Sequence, residues 1–278
     1  MAGIVSMVKS GFTTDGYYRS MNEALRRLNE EYTMLHYPYY VNEDDGFYTA
    51  QKNLTDYCIK QLPAVEGRSV LEIGCGNGVQ SIYILQKFAP SYVKGVDLND
   101  ANIEIANGEA ERLGLKEIEF EVGDAQNLSE IPDGSFDFVV NIESAFHYPD
   151  KPAFLSEVRR VLKPGGYFLI ADILKRPRKS QPLRRSWKKN MHLNHWTEEA
   201  YNESLIGAGL HVEKFEDITD NVINGFRRYP YWLKTMRKKN IFSDTLLKTF
   251  YSVNVVLNIR LLHKRRQYVV ISGKQGPL

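Results

Sequence analysis

Short apolar runs and amphipathic segments alternate along the central part of the chain. Between Ser69 and Asp172, the runs "SVLEI", "YVKGVD", "IEFEV", "FDFVV" and "YFLIAD" have the length and β-branched content of buried strands. The segments between them, such as "VQSIYILQKF", space their apolar residues as helices do. Two further runs, "HVEKFED" and "QYVVISG", follow nearer the C-terminus. This alternation predicts an α/β fold with an open, mostly parallel sheet and helices on both faces.

A glycine-rich loop follows the first predicted strand, at the edge where open parallel sheets bind ligands. In "EIGCGNG", Gly74, Gly76 and Gly78 permit a tight turn and a close approach of a ligand to the backbone. A dinucleotide-binding fold requires Gly-x-Gly-x-x-Gly, whereas Val79 occupies the third glycine position here. The loop therefore suits a ligand without a pyrophosphate, although a plain strand-to-helix turn has the same composition.

Carboxylates follow the next two predicted strands. Asp97 ends the second strand, where a carboxylate can accept hydrogen bonds from both hydroxyls of a ribose. Asp124, in "GDAQNL" after the third strand, is placed to accept from an adenine amino group, or is a solvated turn residue. Together with the glycine loop, these two positions favour a nucleoside ligand.

Five motifs in this order resemble those of a class I S-adenosylmethionine-dependent methyltransferase: "VLEIGCGNG", "GVDLN", "GDAQNL", "SFDFVVNIESAFHYPD" and "EVRRVLKPGGYFLIAD". They cover about Ser69–Ile173, and the set is far more specific than any one motif. The resemblance implies a Rossmann-like, seven-stranded sheet with an antiparallel last strand, and S-adenosylmethionine as cofactor. No metal ligand is assigned. The cofactor contacts that we expect are Glu72, Gly74, Cys75, Gly76, Asp97, Leu98, Asp124, Ala125, Asn141 and Ser144.

The N-terminal stretch "HYPYYVNEDDGFYTAQKNL" is similar to the lead-in of the branch that methylates sterols, tocopherols, and natural-product sugars or polyketides. In that branch an N-terminal helix and an aromatic segment close over the cofactor, and Tyr17–Leu35 has helical spacing here. We therefore expect one domain over residues 1–278. It comprises a lid (1–50), a core (51–217 and 267–278) and a helical cap inserted before the last strand (218–266).

Methyl transfer to a hydroxyl benefits from a base at neutral pH, and histidine is the usual choice. His147 stands just beyond the fourth strand, where the resemblance places the methyl acceptor, and Asp172 ends the fifth strand. In similar sugar O-methyltransferases such a histidine is the base and such an aspartate supports it. Alternatively, His147 caps a turn and Asp172 only ends its strand. A rival base is His195, with His192 nearby. Glu143 contacts the cofactor's methionine end or the substrate, or instead binds backbone amides behind them.

The chain therefore reads as an O-methyltransferase of natural-product hydroxyls, with an apolar or amphipathic small-molecule acceptor. The alternative is C-methylation of an isoprenoid, quinone or sterol-like lipid, in which carboxylates and aromatics would stabilise a cation. A non-enzymatic cofactor-binding regulator is disfavoured by the intact motifs. The aromatic residues of the cap that are available to line a pocket or pack are Phe226, Tyr229, Tyr231 and Trp232.

Composition narrows the partners further. The 278 residues carry a net charge of only +2, so no bulk attraction to nucleic acid is implied. Two cysteines cannot form a disulfide framework, and no signal peptide precedes the core, so we expect a cytoplasmic protein. The stretch Lys175–Asn190 has eight basic residues and no acid. It is a solvated face, or contacts an anionic substrate group or an anionic membrane surface. RNA methylation is less expected, because "NIESAF" replaces the Asn/Asp-Pro-Pro-aromatic motif of amino-directed nucleic-acid methyltransferases.

Overall fold

The computed structural model describes residues 14–29, 31–177, 193–235 and 241–276. The basic segment beyond Pro177, His192, and the side chains of Tyr229, Tyr231 and Trp232 lie outside the described residues. The helices are α1 (Thr14–Asn29), α2 (Phe47–Ile59), α3 (Val79–Phe88), α4 (Asp100–Arg112), α5 (Lys151–Val161), α6 (Glu198–Gly207), α7 (Thr219–Thr235) and α8 (Ile241–Arg265). The strands are β1 (Ser69–Ile73), β2 (Tyr92–Asp97), β3 (Ile118–Val122), β4 (Phe136–Ile142), β5 (Leu162–Lys175), β6 (Leu210–Asp217) and β7 (Arg266–Gln275).

Seven strands form a single sheet in the order β3-β2-β1-β4-β5-β7-β6. Strands β1 to β5 pair in parallel, and β7 lies antiparallel between β5 and β6. The predicted seven-stranded α/β sheet with an antiparallel last strand is therefore confirmed. Strand order reverses beside β1, so the loops after β1, β2 and β4 meet at one edge, where such sheets bind ligands.

Both faces of the sheet are buried, as expected for parallel strands covered by helices. In β4, Phe138 and Val140 contribute to one apolar cluster, and Val139 contributes to the other. Helices α4 and α6 begin at residues whose side chains cap them. The Asn99 side chain accepts a hydrogen bond from the amide of Asn102 at 3.2 Å, and the Thr197 side chain does the same for Ala200 at 3.3 Å.

Two additions to the sheet lie near its ligand-binding edge. Helix α1 and the following aromatic segment precede the core, and helices α7 and α8 stand between β6 and β7. The predicted helix over Tyr17–Leu35 ends earlier, at Asn29. Beyond it the chain is held by the Gln51 side chain, which donates to the carbonyls of Met34 and His36. Within the described ranges, no helix combines the length and apolar content that a bilayer crossing needs.

Candidate active site

A cavity of about 500 Å³ lies at the carboxyl edge of β1, β2 and β4. Thr14, Tyr18 and His36 of the N-terminal segment form part of its wall, so the lid and the core enclose it together. The expected site residues that line it are Gly74, Cys75, Gly76, Asp97, Leu98, Asp124, Ala125, Ser144 and His147.

The glycine loop needs glycine for steric reasons. Gly74, Gly76 and Gly78 all have positive φ, at 75°, 55° and 77°. A side chain at Gly74 would place its Cβ only 2.2 Å from Oγ of Ser144. The loop backbone therefore approaches the cavity directly. Burial raises the pKa of the Cys75 thiol well above its usual range, which agrees with a packing role and not a nucleophilic one.

Asp97 connects the glycine loop to the start of α4. Its carboxylate accepts hydrogen bonds from the amides of Gly76 and Asn99, both at 2.9 Å. Burial raises the pKa of this carboxyl, and the two amide hydrogen bonds oppose that rise. The side chain of Asn102 also donates to Oδ1, at 3.4 Å, so Oδ2 is the oxygen with a lone pair left to accept from a ligand in the cavity that Asp97 lines.

Asp124 holds its own turn closed. One of its oxygens accepts from the backbone and the side-chain amide of Gln126, both at 2.9 Å. Asp124, Ala125 and Leu98 line the same part of the wall, and Leu98 is 72% exposed. An exposed leucine beside a short polar turn offers an apolar surface for a flat ring and hydrogen-bonding groups at its rim.

Two expected cofactor contacts lie behind the cavity wall. Glu72 is buried in β1, hydrogen-bonded to Ser81, and burial raises its pKa to about 8. The Asn141 amide donates to the carbonyl of Ile73 at 2.8 Å and to Oγ of Ser144 at 2.7 Å. Neither residue is among those that line the cavity. Glu72 thus joins β1 to α3, and Asn141 joins the end of β1 to the turn after β4, so both support the site from behind.

His147 lies in the cavity wall, in a short 3₁₀ turn formed by Ala145–His147. The hydroxyl of Tyr18 in α1 is 3.0 Å from its Nε2 atom, and the two rings meet edge to face at 5.6 Å. The N-terminal helix thus provides a polar partner for the histidine that we expected first as the base. Only a long-range contact identifies Tyr18, since nothing in its local sequence marks it.

The structure gives Asp172 different neighbours from those expected. It is fully buried in β5, and its Oδ1 accepts from the amide of Ile173 at 2.7 Å. Burial raises its pKa to about 6, while the nearby positive charge of Lys151 lowers it. The hydroxyl of Tyr201 faces the same carboxyl. Asp172 does not line the cavity beside His147, so any support for that histidine is indirect.

Lys151 provides such an indirect connection. Its side chain is fully buried, and Nζ donates to the carbonyl of Asn194 and lies 5.4 Å from the ring of Trp196. Asn194 in turn donates its amide to the carbonyl of Phe146 at 2.6 Å and its side chain to that of His147 at 3.4 Å. Lys151 and Asn194 therefore hold the histidine turn in place. A lysine beside a helix-initiating proline looks like a surface residue in sequence, so this role was missed.

The rival base His195 occupies a different position. Its Nδ1 is 2.7 Å from the carbonyl oxygen of Ile173, and its ring stacks on Phe146 at 5.5 Å. Burial lowers its pKa well below the usual range, and Arg266 adds to this effect. His195 is not among the residues that line the cavity. Its contacts are those of a packed, neutral histidine that fastens the segment before α6 to β5.

Glu143 lines the cavity in a strained backbone conformation, with φ at 56°. Its Oε1 accepts from the amide of Tyr37 at 2.7 Å and from the hydroxyl of Tyr268 at 2.9 Å. Burial raises its pKa to about 8, although both hydrogen bonds lower it. A largely protonated carboxyl therefore joins the sheet edge to the aromatic lead-in segment.

Polar contacts also fix the rest of the lid to the core. The side chain of Asn22 in α1 donates to Asn102 in α4 and accepts from Asn77 in the glycine loop, both at 2.8 Å. His36, whose pKa burial lowers to about 4, has Nδ1 2.9 Å from the carbonyl of Tyr37. Its Nε2 is 3.3 Å from the hydroxyl of Thr55 in α2. Sequence reasoning missed Asn22 and His36, because these core partners are distant in the chain.

The lining residues fit S-adenosylmethionine. The glycine loop packs so closely on Ser144 and Tyr148 that Gly74 has no room for a side chain, and the carboxylate of Asp97 binds the same loop at Gly76. The cavity is large enough for a ligand of nucleoside size, and the charged residues among its described lining include the carboxylates that would accept hydrogen bonds from such a ligand. The residues that would hold the cofactor are the glycine loop, Asp97, and the Asp124 turn.

Comparison with known proteins also indicates a methyltransferase. The model of the methyltransferase domain family matches residues 64–232. The chain is 35% identical to a fatty-acid O-methyltransferase of Mycolicibacterium smegmatis over 211 residues, covering 72% of this chain and 74% of that protein. It is 30% identical to the erythromycin 3''-O-methyltransferase of Saccharopolyspora erythraea, covering 74% and 70% of the two chains.

A solved structure shares the fold as well. Geranyl diphosphate C-methyltransferase from Streptomyces coelicolor A3(2), in complex with S-adenosyl-L-homocysteine, superimposes with a TM-score of 0.73 at 17% identity. The alignment covers 94% of this chain and 96% of that one. The chain belongs to the methyltransferase domain family and is an S-adenosylmethionine-dependent methyltransferase.

Proposed function

We propose that this enzyme O-methylates a hydroxyl group on an apolar or amphipathic small molecule, with His147 as the general base. The observation that carries the proposal is the position of His147 in the wall of the cavity, with its Nε2 3.0 Å from the hydroxyl of Tyr18. An imidazole at the cavity surface, held by a polar partner, is suited to receive a proton.

The reaction divides the work between cofactor and protein. When bound, S-adenosylmethionine supplies a methyl group already activated by its positive sulfur. The protein's residues align the acceptor, exclude water and remove the hydroxyl proton. The lid closes over the cavity through Asn22 and Tyr18, and the turn held by Asn194 fixes His147. These contacts favour an enclosed site, in which an aligned hydroxyl can react.

The fatty-acid and the erythromycin O-methyltransferases have different acceptors. A base at the position of His147 bears on which kind of acceptor this enzyme uses. A fatty-acid carboxylate is already ionised at neutral pH and needs no base, whereas an alcohol does. We therefore favour an alcohol or phenol as the acceptor of this enzyme. A carboxylate acceptor would leave His147 with a positioning role only.

C-methylation is the second candidate, because Glu143 lines the cavity and the S. coelicolor neighbour is a C-methyltransferase. A carboxylate could stabilise a carbocation formed on an isoprenoid. Burial raises the pKa of Glu143 to about 8, however, so that its carboxyl is largely neutral at pH 7. A neutral carboxyl stabilises a cation weakly, which favours O-methylation.

The proposal is tested with His147→Ala and His147→Gln, measuring S-adenosylhomocysteine formed from long-chain alcohols, glycosides, phenols and fatty acids. For a hydroxyl acceptor, we expect both variants to lose about 100-fold or more in kcat. Cofactor affinity should remain within about twofold. His211→Ala, at an exposed position on β6, is the matched control. Full activity of both His147 variants on the best hydroxyl acceptor, or turnover of fatty acids alone, would show the proposal to be wrong.

A further inference from the structure

Helix α8 carries an exposed apolar stripe on its outer side. Val253, Val256 and Leu257 are 54%, 55% and 39% exposed, respectively. Their spacing of three and four residues places them on one face of the helix. Side chains of this kind are usually exposed singly, so three neighbours on one helix face mark a candidate contact surface.

The inner side of the same helix is also apolar. Val255 and Leu262 are buried in the core, and Ile259 packs against it. The helix is thus apolar on two opposite sides, whereas a surface helix is normally apolar on only one. Since the sheet covers only the inner side, a second partner for the outer side is indicated.

The charged residues on this face indicate an anionic partner. The stripe continues along the same helix face into Arg260 and Lys264, both exposed, one and two turns after Val256. The other exposed side chains described on this face are Thr245, Thr249 and His263, and none of the described ones is acidic. A second copy of the chain would therefore offer no carboxylate from this face to neutralise the two cations. Phosphate groups of anionic lipids would do so, while the valines and leucine reach the acyl boundary.

We propose that the outer face of α8, formed by Val253, Val256, Leu257, Arg260 and Lys264, docks the enzyme on an anionic lipid surface. This goes beyond the proposed O-methylation and does not depend on it. Docking on a lipid surface would also bring the enzyme close to apolar acceptor molecules held there. Helix α8 is connected to the cavity through Tyr37. The hydroxyl of Tyr37 donates to Asn258 at 3.4 Å, and its amide donates to Glu143 in the cavity wall.

The test is sedimentation of the full chain with phosphatidylcholine vesicles, with or without phosphatidylglycerol. We expect binding to the anionic vesicles and much weaker binding to the neutral ones. Val256→Gln combined with Leu257→Gln introduces glutamine, a good helix former, at both positions and should weaken binding about tenfold. Arg260→Gln combined with Lys264→Gln should weaken it roughly fivefold for each charge removed and reduce its salt dependence. Ile206→Gln, at a 74% exposed position on α6, should bind as the wild type does.

Binding is measured without acceptor or cofactor, so the result stands whether or not the O-methylation is correct. A thermal melt of each variant confirms folding. The proposal is overturned if the wild-type chain does not bind anionic vesicles. It is also overturned if Ile206→Gln loses as much binding as the α8 variants do. It is also overturned if the Val256 and Leu257 substitutions leave vesicle binding intact and instead convert a dimer to a monomer in analytical ultracentrifugation. That outcome would make the face a contact between copies.

Discussion

The hydroxyl of Tyr18 lies 3.0 Å from Nε2 of His147, joining two residues that are 129 positions apart in the chain. One belongs to the lid helix and the other to the turn after β4. The lid therefore completes the site and adds a contact to the ring of the proposed base, whose turn Asn194 also holds. We therefore expect the rate of methyl transfer to depend on this contact between the lid and the base.

Tyr18→Phe keeps the aromatic ring but removes the hydroxyl that contacts His147. We expect kcat on a hydroxyl acceptor to fall about tenfold, because an oriented base loses its partner. The cofactor Kd should change less than about twofold, as measured by calorimetry. Tyr48→Phe, at an exposed position on α2, controls for loss of a tyrosine hydroxyl. An unchanged kcat for Tyr18→Phe would show that the Tyr18 hydroxyl does not contribute to the reaction.

Glu143 should make the protein less stable as pH rises. Its pKa is raised from the ordinary 4.5 to about 8, so the folded chain keeps a proton in this window that the unfolded chain has lost. The free energy of unfolding therefore falls between these two pH values, by at most about 1.4 kcal/mol per pH unit for one group. Glu72, with its pKa raised to about 8, adds to the same slope.

Glu143→Gln imitates the protonated side chain and can still accept from the amide of Tyr37. In urea titrations from pH 5 to pH 9, the variant should match the wild type at the acidic end and exceed it at the basic end. Glu104→Gln, on the exposed side of α4, controls for the lost charge. Parallel stability curves for the wild type and Glu143→Gln would mean that Glu143 is ionised in the folded protein.

The fold and the cofactor half of the site were predictable because their signals are local. Strand and helix periods fix the alternation, and Gly74, Asp97 and Asp124 each lie at or just past the end of a strand that carries its own pattern. The sheet then brings those strand ends to one edge. Glu72 and Asn141 lie in β1 and β4 near the same edge, but sequence gives no indication that their side chains are absent from the cavity wall.

The acceptor half was less predictable because its contacts are long-range. Asn22 and His36 meet the core only after the lid has folded over it, and no local pattern encodes the partner. The resemblance to sugar O-methyltransferases implied that Asp172 supports His147 directly. Tertiary packing instead places Lys151 near Asp172, because a fully buried carboxyl requires a nearby cation or a proton.

Asp97→Asn should weaken cofactor binding without unfolding the glycine loop. The asparagine oxygen can still accept from the amide of Asn99, but the negative charge and the oxygen that accepts from the amide of Gly76 are lost. Hydrogen bonds to charged groups contribute about 1.5–3 kcal/mol each, so we expect the Kd for S-adenosylmethionine to rise roughly 10- to 100-fold. Calorimetry measures this, and a thermal melt confirms the fold. An unaltered Kd would refute the ribose role of Asp97.

Lys151→Met should lower both stability and turnover, because Lys151 holds the turn of His147 through Asn194. The substitution removes a buried cation that offsets the charge of Asp172, and we expect it to cost about 2–4 kcal/mol in urea unfolding. Adding Asp172→Asn removes the charge left behind, so the double variant should cost less than the two single changes together. With the exposed Lys116→Met as control, kcat of Lys151→Met should fall while cofactor Kd holds. Additive stability losses would show that Lys151 and Asp172 act independently.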